Sequence, residues 1–317
     1  MTGLILRRLV FTAFALLIIS VAVFGATMAL PGDAAIARLG ASATPESLAA
    51  LRERMNLDAP LLQQYFGWLG SLLRGDLGLS FSTSIPVGAY IGPKVANSLV
   101  LLLITTVIAV PIATGMGVWT ALRRDGVADR VSTLVLLVIV ALPEFVVAVL
   151  IIALLSTNVF RLFPAVSIMD PSRPWWEQAT LLVLPAITLV IVSLPYIART
   201  VRASMAETLE SEFISMARMK GVSENRVIWR HALPNIAGPW FQVTAQSIAY
   251  LAGGIVVVEA VFQFPGVGYQ LISSIGSRDL PVIQALALLL AAFYILLNAV
   301  ADMGTIAMTP TMRKGKR

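Results

Sequence analysis

Few side chains in this sequence are equipped for chemistry, and most of them fall in one polar segment. His231 is the only histidine and there is no cysteine. A His-cluster metal site, a thiolate nucleophile and a disulfide are therefore excluded. No Gly-x4-Gly-Lys-Ser/Thr stretch occurs, so the chain has no phosphate cradle of that type. Two carboxylates, Glu144 and Glu259, lie inside long apolar runs. A charge at mid-bilayer costs at least about 2.5–3.5 kcal/mol, so such a group faces a bundle interior or water. Glu144, next to Pro143, is read as pore-lining or as structurally paired. Glu259 is read as a helix-end or subunit-interface group near the outer end of its run. The third feature is the polar stretch 200–235, which contains Ser211-Glu-Phe-Ile-Ser-Met-Ala-Arg-Met-Lys-Gly221 and His231-Ala-Leu-Pro-Asn235.

The elements that position these groups are membrane helices. Hydrophobic residues make up 58% of the chain and charged residues 13%, against roughly 25% charged in soluble domains. A hydrocarbon core about 30 Å thick needs ~20 apolar helical residues. Six runs qualify, at 9–30, 96–122, 131–156, 179–199, 236–262 and 282–306. The first is too long for the apolar core of a signal peptide and reads as an uncleaved membrane helix.

Charge then orients the bundle. One side carries Arg7 and Arg8; Arg123, Arg124 and Arg130; Arg199, Arg202, Arg218, Lys220, Arg226 and Arg230; and Arg313, Lys314, Lys316 and Arg317. The other carries Arg161, Arg173 and Arg278 outside its long first loop, and long loops are poor guides to orientation. Both termini are expected in the cytoplasm. The net charge of +6 is spread along membrane edges, which suits lipid headgroups and not nucleic acid.

Outside the spans, Pro31-Gly32-Asp33 reads as a turn. Thr44-Pro45-Glu46-Ser47 reads as a helix start capped by Thr44, with Leu48, Leu51 and Met55 on one face. A second helix is expected over about 60–73, then a loop at Gly75–Ser80. Asp170–Pro174 reads as a turn, followed by an interfacial anchor at Trp175-Trp176. Pro111, Pro143, Pro185 and Pro195 are each expected to kink their spans.

In the polar segment, Met205, Leu209, Phe213, Met216 and Ala217 give one apolar face to a helix expected from Ser204 to Lys220. Gly221 follows as a C-cap, Ser223 and Asn225 are placed to cap a second short helix, and Pro234 ends it. The outcome is a helix–Gly–helix elbow suited to docking a cytosolic partner.

This elbow resembles the coupling loop of type I ABC-importer permeases, of the form Glu-Ala-Ala-x3-Gly-x9-Ile-x-Leu-Pro. Ser215-Met216-Ala217, Gly221, His231 and Leu233-Pro234 occupy its places, with Ser for Glu and His for Ile. Phe-Ile-x-x-Ala-Arg-x-Lys-Gly and Arg-His-Ala-Leu are similar to the peptide branch of that family. So are Leu-Arg-Arg-Leu near the start, Ala29–Asp33, Gly75–Ser80 and Val258–Gly268. The resemblance implies an all-α integral membrane protein with the type I importer permease fold, in a bacterial cytoplasmic (inner) membrane. It implies a second homologous permease, two ATPase subunits that hold ATP and Mg, and an extracytoplasmic peptide-binding protein. It places the ATPase contact on Phe213, Ala217, Arg218, Lys220, Gly221, His231, Leu233 and Pro234, with Glu144 and Glu259 as translocation-path residues.

The expected organisation is a first helix with an extracytoplasmic segment over 1–93, a transmembrane domain over 94–307, and a basic tail over 308–317. The expected activity is transport of di- or oligopeptides, with no cofactor bound by this chain and no covalent chemistry. An ion-coupled secondary transporter is the alternative, but it calls for an ion relay, and Glu144 is the only group offering one. A membrane hydrolase would need its base inside a span, and His231 is not there.

Overall fold

The computed structural model describes residues 2–29, 44–54, 59–157 and 159–308. Pro31-Gly32-Asp33, Met55 and the basic residues from 309 onward lie outside the described residues. In chain order the α-helices are α1 (Thr2–Met28), α2 (Pro45–Arg54), α3 (Leu61–Leu73), α4 (Val87–Leu122), α5 (Val127–Ala141) and α6 (Glu144–Ile152). After them come α7 (Ala179–Leu209), α8 (Glu212–Met219), α9 (Glu224–Arg226), α10 (Leu233–Asn235), α11 (Ala237–Phe262), α12 (Val267–Ser277) and α13 (Leu280–Met308). A 3₁₀ turn, Trp175–Gln178, leads into α7, and π turns occupy Ala153–Thr157 and Val227–Ala232.

Among the described residues, five stretches are long and apolar enough to cross a membrane: Val10–Met28, Val87–Leu122, Trp175–Leu209, Ala237–Phe262 and Leu280–Gly304. The third expected span is not one kinked helix. It is the pair α5 and α6, bent by 104°. The cause is local. Leu142 precedes a proline, so the α conformation is disfavoured there, and it takes an extended φ of −87° and ψ of 129°. Pro143 follows with ψ of 145°, and the helix restarts at Glu144. Pro111, Pro185 and Pro195 lie inside uninterrupted helices, so only Pro143 breaks its span.

The chain divides into two compact units. The first comprises Met1–Leu99 and Pro265–Ile295. In it Phe24 packs edge-on to Tyr65 at 5.4 Å, and the Ser20 and Tyr65 hydroxyls are 2.9 Å apart, which fixes α1 against α3. Thr44 caps α2 as expected, and Ser47 makes the cap reciprocal: each backbone N–H donates to the other's hydroxyl, at 2.9 and 3.2 Å. The loop after α3 turns on Gly75 and Gly78, both at positive φ. It delivers Ser80 to Asp279, which precedes α13. The buried Asp279 carboxylate accepts from Ser80 Oγ (2.5 Å), Ser82 Oγ (2.7 Å), Phe81 N–H (2.9 Å) and Ser82 N–H (3.1 Å). Val267 N–H donates to Ser98 Oγ and Asn97 Nδ2 to the Pro265 carbonyl, tying the start of α12 to α4.

The second unit comprises Val100–Phe264 and Leu296–Arg317. Its centre is α7, packed against α5, α6 and α11. Gly117 on α4 permits a close crossing: a Cβ there would stand 2.6 Å from the Ala198 carbonyl oxygen and 2.7 Å from Val201 Cβ. Neither atom can move without shifting α7. Gly117→Ala is therefore expected to cost about 1–3 kcal/mol by forcing the helices apart. The check is a lowered thermal midpoint in detergent, beside an unchanged midpoint for Gly253→Ala, whose added Cβ meets nothing within 4 Å. The adjacent glycines Gly253 and Gly254 of α11 have different surroundings. Gly253 faces open space, and Gly254 is in contact with a side chain described below.

Candidate functional site

The polar segment folds as an elbow, with one departure from the continuous helix expected over 204–220. The helix stops at Leu209. Ser211 takes an extended ψ of 151°, and its hydroxyl donates back to the Thr208 carbonyl at 2.5 Å. A serine bonded to the preceding backbone in this way offers an alternative to continuing the helix. The apolar stripe is divided by this break. Met205 and Leu209 stay with α7, and α8 turns Ile214 inward and leaves Phe213 and Met216 about half exposed.

The far end of α8 closes as expected. Gly221 lies at φ +78°, its N–H donates to the Arg218 carbonyl, and the Val222 N–H donates to the Ala217 carbonyl. That is a Schellman ending, with glycine at the left-handed position. Ser223 then begins α9, without a side-chain cap. The second short helix differs from expectation. It continues through the wide turn Val227–Ala232, and Pro234 sits inside α10 instead of terminating the helix. A proline at 234 has no N–H for the Arg230 carbonyl, so regular α hydrogen bonding cannot pass that point. A π turn there lets the chain enter α11 almost without a break.

The elbow is anchored by packing. Ile214, Val227, Ala232 and Ile236 are buried in one apolar cluster with Met205, Val201, Ile197 and Ala113. The elbow is therefore packed onto α4 and α7 through contiguous side chains. Facing outward are Phe213, Met216, Met219 (75% exposed) and Trp229 (68% exposed), an apolar patch on a polar segment. Such a patch marks an interaction surface.

Of the expected coupling residues, Ala217, His231 and Leu233 are half-buried. Phe213, Lys220, Gly221 and Pro234 are exposed. Arg218 is also exposed, but it is engaged within the elbow. It donates from Nη2 and Nε to the two Glu224 carboxylate oxygens, at 2.6 and 3.1 Å, and from Nη1 to the Leu209 carbonyl. Hydrogen bonding to Arg218 holds the Glu224 carboxyl below its ordinary 4.5. Because Glu224 is depressed in the folded state, the bridge contributes fully above pH 4.5 and is lost as pH falls through the lower folded value. The pair is half exposed and contributes less than about 1 kcal/mol. Limited proteolysis at Gly221–Val222 is expected to be constant from pH 8 to 5 and to rise below 4.5.

A second group of contacts is not legible from local residue patterns. Asp129 is buried and accepts both Arg202 Nε and Nη2 at 2.5 Å, a bidentate pair joining α5 to α7 just above the elbow. Arg124 pairs with Glu210 at the break itself. Ile214, the buried pin of the elbow, lies outside the expected apolar stripe. Its signal was available, because it is the one β-branched apolar residue in α8.

The two membrane carboxylates have different surroundings. Glu259 is fully buried near the end of α11, where its backbone carbonyl accepts the Phe264 N–H at 2.8 Å. Glu144 opens α6 and is half-buried. A Cβ on Gly254 would stand 2.6 and 2.7 Å from its two carboxylate oxygens, so this glycine makes room for the charge. Tyr250 interacts with Glu144 and with Tyr196, and the two rings lie 5.0 Å apart.

A family model described as the binding-protein-dependent transport system inner membrane component matches residues 113–314. A model for the N-terminal part of such membrane components matches residues 1–87. The chain belongs to this family. It is 32% identical over 312 residues to a probable peptide ABC transporter permease protein of Sinorhizobium fredii, covering 98% of each chain. It is 34% identical over 316 residues to a putative peptide transport system permease protein of Brucella abortus, covering 99% of each. It is 33% identical over 313 residues to the glutathione transport system permease protein of Escherichia coli K12, again covering 99% of each. The chain is thus a multi-pass inner membrane component of a transport system, and the elbow and the two carboxylates are features of a permease. Among the described residues there is no group of His, Cys, Asp or Glu able to hold a metal ion.

Proposed function

We propose that this chain is one permease subunit of an ATP-driven importer of di- or oligopeptides. It pairs with a second homologous permease, receives cargo from an extracytoplasmic binding protein, and is driven by two ATPase subunits that carry the ATP and Mg. The observation that carries this reading is the end-to-end similarity to peptide and glutathione permeases. The anchored elbow supports it, because it joins an exposed apolar patch to the membrane helices by one continuous core.

In this reading the ATPase contact comprises Phe213, Ala217, Arg218, Lys220, Gly221, His231, Leu233 and Pro234, with Met216 and Trp229 added on the ground of exposure. Arg218 acts chiefly by bracing the elbow through Glu224. Both termini are cytoplasmic, as the distribution of arginine and lysine favours. Residues 1–93 supply the first helix and an extracytoplasmic segment, 94–307 the translocating domain, and 308–317 a basic tail near lipid headgroups. Glu144 lines the translocation path. The complete burial of Glu259 favours a structural part at the end of α11.

The test is reconstitution. Co-expressed with a sister permease, its ATPases and a binding protein, the chain should purify in one complex and support peptide uptake into liposomes that requires ATP. Uptake by this chain alone, driven by an ion gradient without ATP, would overturn the proposal in favour of a secondary carrier.

A further inference from the structure

Glu144 is a charge without a counter-ion: among the described residues it forms no ion pair with arginine or lysine. It nevertheless lies where α6, α7 and α11 meet, against Tyr250, which is halfway along the α11 span. A carboxylate at that depth cannot face lipid without a large cost, so its partly open side faces water or protein. The room it occupies is built in, because Gly254 lacks the Cβ that would collide with both of its oxygens. Tyr250 lies against it and Tyr196 packs on Tyr250; they are 41% and 38% exposed, so part of this aromatic pair remains accessible near the charge. A carboxylate with two accessible aromatic rings is the arrangement that binds an ammonium group, by charge-assisted hydrogen bonds and by attraction to the ring faces. Ser247, one turn from Tyr250 on the same side of α11, has a buried hydroxyl with no partner, a further polar group on this side.

We propose that Glu144, Tyr196 and Tyr250 form a station in the membrane that takes the free α-ammonium of the passing peptide. The proposal rests on the peptide-permease reading above. It adds that the permease itself, and not only a binding protein, discriminates for an unblocked amino terminus. The charge of Glu144 is then neutralised by the cargo during passage, and the Tyr250 hydroxyl holds the carboxylate in place when cargo is absent.

The experiment uses the complete reconstituted complex and measures initial uptake of one tripeptide and its Nα-acetyl analogue. The binding protein is kept the same throughout, so its own preference cancels between variants. Glu144→Gln is expected to lower the ratio of free-amine to acetylated uptake about tenfold, mainly through KM. Tyr250→Phe keeps the ring and its packing, and is expected to move the ratio in the same direction by a smaller factor. This second variant decides the matter if Glu144→Gln does not assemble. A ratio that stays at the wild-type value, with both peptides slowed alike, would overturn the station and leave Glu144 a structural group. Failure of the wild-type complex to take up either peptide would be a different result, overturning the peptide reading and the station with it.

Discussion

Replacing Asp279 by alanine is expected to destabilise the protein by about 3–5 kcal/mol. The Asp279 carboxylate is fully buried and accepts four hydrogen bonds, from the hydroxyls of Ser80 and Ser82 and the backbone N–H groups of Phe81 and Ser82. Removing it strands the buried Ser80 hydroxyl and leaves the donors of half-buried Phe81 and exposed Ser82 to water, and a stranded buried donor costs about 1–3 kcal/mol. The carboxylate also precedes α13, where the first turn of free N–H groups favours a negative charge. Asp279→Asn keeps the shape but turns an NH₂ toward donors, so an intermediate loss is expected. Thermal midpoints of the three proteins in detergent check this ordering. Equal midpoints for wild type and Asp279→Ala would show that the Ser80 loop is not held by this residue.

Truncating Ile214 to alanine is expected to have the largest effect on transport. Ile214 has no exposed surface and belongs to the cluster that holds α8 to Met205, Val227 and Ala232. Loss of a buried isoleucine side chain costs about 2–5 kcal/mol, depending on how far the site collapses. Here the loss falls on an eight-residue helix with few other ties. The elbow should loosen while the membrane spans, which do not depend on it, remain inserted. The expected result is at least a fivefold fall in peptide taken up per ATP hydrolysed, with the complex still able to hydrolyse ATP. Truncating the exposed Met219 should leave the anchoring intact, so its uptake per ATP should fall far less. Equal ratios for wild type and Ile214→Ala would show that force does not pass through this contact.

How much of this was legible in the sequence depends on the range of each interaction. The spans followed from apolar run length, and the Thr44–Ser47 cap and the left-handed Gly221 followed from residue types acting over three or four positions. The bend at Pro143 was not distinguishable from Pro111, Pro185 and Pro195. All four remove the same hydrogen bond, and tertiary packing decides which helix breaks. The division of the 204–220 stripe was hidden for a related reason: the hydrophobic period continues across Ser211, whose hydroxyl bonds backward to Thr208.

Contacts at long range were the least accessible. Asp279 and Ser80 are 199 positions apart, and Asp129 and Arg202 are 73 apart. A partial signal existed for Asp279, because Asp-Leu-Pro before an apolar run is a helix start with an acidic cap. For Gly117, nothing in its neighbours foretold the Ala198 carbonyl. At the candidate site, sequence alone marked Glu144 but not the two tyrosines, since Tyr196 and Tyr250 lie on different helices and meet only in the fold.

The absence of cysteine makes the decisive measurement simple. A single cysteine at Met216, half exposed on the outer side of α8, would be tested for crosslinking to co-expressed ATPase subunits with and without nucleotide. A single cysteine at Leu73, at the end of α3 on the expected external side, serves as the control. A crosslink from 216 to an ATPase, altered by nucleotide, is expected, and none from 73. No crosslink from position 216 in a properly inserted, assembled complex, or an equal one from 73, would contradict the claim that this elbow couples the permease to ATP.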